Sequence, residues 1–99
     1  MKIYDKARWQ IEGGINKSAV INHFKFIFDW LDKMNLLSIY GEETKNGIID
    51  ESVVLTEEMV NIMGQKFLDK YYDEYIDSIE YGVKEDEKKL KELYLSMNE

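Results

Sequence analysis

Apolar residues recur at helical spacing in three stretches of this chain and lose that rhythm between them. From about residue 17 to 35, Val20, Phe24, Ile27, Leu31 and Met34 repeat every three or four positions. Asn22, Lys25, Asp29, Asp32 and Lys33 take the opposite side. This pattern predicts a long helix, capped by Asn16 or Ser18, with Ile15 and Val20 placed for a hydrophobic staple. His23, Trp30 and Met34 fall along one border of the apolar arc, and Phe26 lies further round beside Lys33. A helix this widely apolar needs cover on more than one side, which makes a homodimer through Phe26 and Trp30 one expectation.

A second helix is expected over 56–81. Thr56 can cap it, and Glu57 and Glu58 suit the positive end of the helix dipole. Val60, Met63, Phe67, Tyr71 and Tyr75 mark its buried stripe, joined later by Leu68, Tyr72, Ile76 and Ile79. Gly64 falls on the apolar side, where a missing side chain lets another backbone approach, and Gly82 is placed to end the helix. The tail carries Leu90, Leu93, Tyr94 and Met97 at i, i+3, i+4 and i+7, a short amphipathic helix.

The remaining segments are less regular. The first fifteen residues read as a partly irregular lead-in that turns at Gly13-Gly14. Residues 36–55 fit either two short strands across an Asn46-Gly47 turn or a loop with a single β-bridge. The fold expected is mainly α: a single domain over 1–99, with two long helices, a C-terminal helix and the hairpin or loop between the long helices.

Composition narrows the function. The 99 residues hold thirteen basic and twenty acidic side chains, a net charge of −7, which disfavours a nucleic-acid partner. With no cysteine and one histidine, no thiolate nucleophile, Cys-ligated metal or multi-His metal site fits in one chain, and no cofactor is expected. No apolar run approaches the roughly 20 residues of a membrane helix, and the start M-K-I-Y-D-K-A-R-W does not read as a signal peptide. A cytoplasmic protein is therefore expected. The charge is also uneven. Residues 1–50 hold seven basic and seven acidic side chains, residues 51–99 six and thirteen, so the whole excess belongs to the second half.

Much of it lies along the second helix. Asp69, Asp73, Asp77 and Glu80 stand at i, i+4, i+8 and i+11 and share a face. A solvated face paired with Lys66 and Lys70 is one reading, and a divalent-ion site the weaker one. Asp77 and Glu80 stand where the dipole disfavours anions, by about 0.3–1 kcal/mol each. Helix stability alone does not select them, and a basic protein partner would. Tyr72 and Tyr75, in the tyrosine-rich stretch of the same helix, join that candidate surface.

A candidate ligand site is built from Trp9, Glu12, Gly13, His23 and Trp30. His23 is the one side chain whose ordinary titration lies near neutrality, available as a general base or a ligand-binding donor; the alternative is a histidine at the core border held by a hydrogen bond. No phosphate-cradling glycine loop is present, and no catalytic set is named.

Taken in order, Y-D-K-A-R-W-Q-I-E-G-G, His23 with F-x-W at 28–30, and N-L-L at 35–37 resemble a family of small bacterial proteins of unknown function. Its members show a D-x-A-x-W-H-x-x-G start and a helix with A-x-x-H and L-x-W. Gly64, Phe67, Tyr71 and Tyr72 match a later glycine followed by aromatic-tyrosine pairs. The resemblance implies a stand-alone bacterial protein of the kind found near toxin–immunity genes, with no established activity. The family's histidine after the tryptophan is Gln10 here.

The leading expectation is thus a non-enzymatic protein-binding module, immunity or inhibitor-like, that contacts a basic partner. The alternative is a small-ligand binder or enzyme with a pocket around Trp9, His23 and Trp30.

Overall fold

A computed structural model describes residues 1–97; residues 98 and 99 of the expected terminal helix lie outside the described residues. The chain is mainly helical. In order it forms β1 (Ile3–Lys6), α1 (Ala7–Glu12), α2 (Lys17–Lys33), α3 (Ile39–Asn46), β2 (Val54–Thr56), a 3-10 turn (Glu57–Met59), α4 (Ile62–Asp77) and α5 (Glu87–Met97).

α2 follows its pattern closely. Asn16 caps it by accepting from the Ser18 N–H, and Val20, Phe24, Ile27 and Leu31 are essentially without solvent exposure. Its end is a Schellman motif: Asn35 takes φ 60°, its N–H reaches the Asp32 carbonyl, and the Leu36 N–H reaches that of Leu31. Leu31 and Leu36 are both buried, which supplies the apolar contact that accompanies this motif.

The lead-in is more ordered than its sequence suggests. Residues 3–6 form a strand and residues 7–12 a short helix ending at Gly13. β1 pairs antiparallel with β2, Ile3 opposite Thr56 and Asp5 opposite Leu55, so Tyr4 is an extra residue that bulges the strand. A bulge breaks the alternation of faces and can re-aim a side chain; here Asp5 is buried.

No hairpin forms within 36–55. Ser38 accepts from the Gly41 N–H and starts α3 across the segment read as strand and turn. Strand 54–56 finds its partner in the N-terminal segment instead, and Leu37 bridges Val60. The second long helix is correspondingly shorter than 56–81. Thr56 caps only the 3-10 turn, Asn61 caps α4, and Ser78 ends it. Gly82 lies beyond the helix at φ 73°, in a turn closed by a bridge between Glu80 and Lys84.

The core lies where α2, α4 and α5 meet the sheet. Phe67 sits 5.1 Å, centroid to centroid, from Trp30 and 6.0 Å from Tyr94. Leu90 and Leu93 of α5 and Leu55 of β2 are buried in the same cluster. Gly64 allows the close approach expected of it: a Cβ there would stand 2.7 Å from the Leu36 carbonyl oxygen.

Candidate functional site

His23 lies mid-way along α2 with no solvent exposure, at the meeting point of five segments. Its Nε2 is 2.8 Å from the Tyr72 hydroxyl, which donates to Asp5 Oδ2 at 2.5 Å. Its Nδ1 is 2.8 Å from Glu85 Oε2. The Tyr81 ring stacks on the imidazole with centroids 3.9 Å apart, and its hydroxyl donates to Asp5 Oδ2 at 2.8 Å. Gln10 donates to the other Asp5 oxygen, while Tyr75 and the Gly82 N–H donate to Glu85. β1, α1, α2, α4 and the turn after α4 thus each contribute a polar group.

Counting donors constrains the protons. Tyr72 has one hydroxyl hydrogen and gives it to Asp5, so its oxygen is left to accept from Nε2. Glu85, ionised, has only acceptors to offer, so Nδ1 also donates. Asp5 and Glu85 each take part in three hydrogen bonds. The His23 ring lies between Asp5 and Glu85, with both nitrogens donating when the two carboxyls are ionised, and no buried side-chain polar atom among the described residues lacks a partner.

The tyrosines carry the electrostatic consequence. Burial, and then the neighbouring Asp5 charge, push the Tyr72 and Tyr81 hydroxyls far above the ordinary phenol range. Burial also raises Tyr75, with Glu85 adding to the effect and the Asp86 N–H partly opposing it. These phenols stay protonated, as donors. A general base must reach the proton it removes, and both nitrogens of His23 are engaged beneath Tyr81 and Glu85. The arrangement suits holding five segments together.

The structure does not gather the candidate ligand residues around His23. Trp9 stays half-exposed at 50% on α1, with the Lys6 ammonium 5.5 Å from its ring centroid. Glu12 and Gly13 are exposed at the end of α1. Trp30 is buried against Phe67 and Tyr94, so it offers little area to a second copy, and Phe26 is half-buried. Among the described residues, no group of three or more His, Asp or Glu side chains is placed to hold a metal ion. No helix among the described residues is long and apolar enough to cross a membrane.

The candidate partner residues separate too. Tyr72 and Tyr75 turn inward to the His23 cluster and leave the surface. Asp69 is taken by Lys2 at 3.0 Å and the Tyr4 hydroxyl at 2.8 Å, which hold its carboxyl below the usual range. Asp73, Asp77 and Glu80 remain exposed, with no ion pair to any cation among the described residues. The pairing expected of Lys66 and Lys70 does not form; Lys70 lies over the Tyr71 ring instead. Glu80 stands beyond the end of α4, so the dipole opposes Asp77 alone.

Asp5 and Glu85 receive no role of their own from the sequence. Asp5 carries no periodic signal, because the bulge at Tyr4 breaks the two-residue alternation of β1 that would mark an inward position. No family model, curated protein or solved structure matches the chain.

Proposed function

We propose that this protein is a small, non-enzymatic protein-binding module of the inhibitor or immunity type, and that it engages a basic partner through the acidic edge of α4. The observation that carries the reading is the set Asp73, Asp77 and Glu80: exposed carboxylates that no cation of the described chain neutralises. Asp77 is moreover the last residue of α4, where an anion opposes the dipole. Charge retained against the needs of its own helix suits a surface selected for association, where it accelerates encounter and fixes orientation. The closed state of the His23 cluster supports the non-enzymatic half of the reading.

The test is to capture binding partners with the native chain and with a D73N/D77N/E80Q variant, then measure association with the captured protein at several salt concentrations. A basic protein held by the native chain, with an association rate that falls with salt and with the variant, is the expected outcome. Capture that is equal for both chains would refute the acidic edge as the contact.

A further inference from the structure

Three surface depressions line up along one stripe of α2. The first, about 310 Å³, lies between α2 and the chain after α3, with Lys25, Lys45 and Ile48 on its walls. The second, about 290 Å³, shares Asp29 with the first and is floored by Phe26. The third, about 320 Å³, shares Trp30, Lys33 and Glu87 with the second and runs under α5 past Met34. Each is at the small end of ligand pockets. Together they form a furrow that follows α2 from Lys25 to Met34, about 14 Å at 1.5 Å per residue.

Its charge runs against the rest of the molecule. Five lysines line the furrow against two acids, in a chain whose net charge is −7. Lys33 is held by Glu87, and Lys45 by Asp32. Lys25, Lys88 and Lys91 are exposed and make no ion pair with any described residue. Between these cations lie the half-buried Phe26 and Met34, with the buried Trp30 ring beneath them, an apolar floor flanked by positive charge. Ile48, 90% exposed, extends the apolar surface at the α3 end.

We infer that this furrow is a docking groove for an acidic amphipathic segment of a partner protein. The segment's apolar residues lie on the half-buried Phe26 and Met34, and its carboxylates meet Lys25, Lys88 and Lys91. A groove two to three turns long, apolar along its floor and charged at its edges, matches the way an amphipathic helix is recognised, with anchors at i, i+3 or i+4 and i+7. Opposite charge on the rim selects the acidic segment and rejects a basic one. The groove uses residues apart from the acidic edge of α4, so it stands or falls independently of that surface.

The probe is a synthetic amphipathic helix of Leu and Glu, roughly eighteen residues or five turns long, titrated into the 15N-labelled full chain. A Leu/Lys helix of the same pattern is the control. The expected result is saturable shifts confined to 25–34, 45–49 and 87–91, including the Trp30 indole, with none produced by the control. K25E/K88E/K91E, all at exposed positions, should weaken binding by at least about tenfold, as removal of several rim charges of one sign does. D73N/D77N/E80Q should leave it unchanged. Shifts outside the furrow, equal binding of the Leu/Lys helix, or undiminished binding by the lysine variant would overturn the proposal. Two further outcomes would also overturn it: furrow shifts produced by concentrating the chain alone, which point to a second copy, or by anionic phospholipid vesicles but not by the peptide, which point to a membrane surface.

Discussion

His23 and Glu85 stand 62 residues apart in the chain and meet at 2.8 Å, the imidazole Nδ1 against a carboxylate oxygen, with both side chains nearly free of solvent. The contact fastens the turn after α4 onto the middle of α2. Asp5 completes the arrangement from the other side through the Tyr72 hydroxyl.

If His23 donates from both nitrogens, its removal leaves two buried carboxylates without their cation. His23→Ala is therefore expected to destabilise the fold by about 3–5 kcal/mol, the cost of orphaning a buried charge. Tyr81→Phe deletes a single hydrogen bond to Asp5 and is expected to cost only about 1–2 kcal/mol. Urea unfolding of both variants checks the ranking; a His23→Ala chain as stable as Tyr81→Phe would exclude a charged histidine.

The same turn depends on a glycine. A Cβ on Gly82 would lie 1.9 Å from the Ala19 carbonyl oxygen, and the residue holds φ 73°. Gly82→Ala combines a backbone clash with left-handed strain, and a loss of at least about 2 kcal/mol is expected from strain of this kind. At Gly47 a Cβ would meet its nearest neighbour at 3.4 Å with no positive φ, so Gly47→Ala should be nearly neutral. Thermal unfolding of the pair distinguishes a packed turn from a merely tolerant one.

Alkaline pH should weaken the fold through the tyrosines. Tyr72, Tyr75 and Tyr81 all have hydroxyls raised above the phenol value of 10.0 in the folded chain. Above that value the unfolded chain releases these protons while the folded one keeps them. The unfolded state then binds fewer protons, and stability falls as pH rises; below pH 10 the contribution is complete. An ultraviolet titration should show these three ionising only as the chain unfolds. Phenolate formation by all seven tyrosines within the native state would contradict their burial.

Asp69 and Asp77 share a helix face in the sequence yet should respond in opposite ways. Asp77→Asn removes an anion from the end of α4 and is expected to stabilise the chain by about 0.3–1 kcal/mol at low salt. Asp69→Asn breaks the contacts to Lys2 and Tyr4 and should destabilise slightly, within the range of about 0–1 kcal/mol for exposed ion pairs. Because Asp69 is lowered from its ordinary value of 3.8, its contribution is present above that pH and fades as pH falls below it. Denaturant midpoints measured at neutral and acid pH test both signs.

The long helices were legible because a helix writes its buried face at a fixed period, and Val20, Phe24, Ile27 and Leu31 obey it. Their ends followed less well, since Thr56 and Asn61 are both good caps and only tertiary packing selects between them. The pairing of β1 with β2 was hidden by distance: forty-seven residues separate Ile3–Lys6 from Val54–Thr56, and neither strand is long enough to show its phase. His23 could be read as the chain's singular titratable group. Its partners could not, because Asp5, Tyr72 and Glu85 converge only once five segments have folded.

The central claim is that His23 belongs to the frame of the protein and that recognition is left to the surface. Nitrogen-15 NMR of the imidazole tests it most directly. Two protonated ring nitrogens, with ring protons that exchange slowly with water, are the expected result. A fast-exchanging ring with one bare nitrogen would contradict the account and return His23 to the role of an available base.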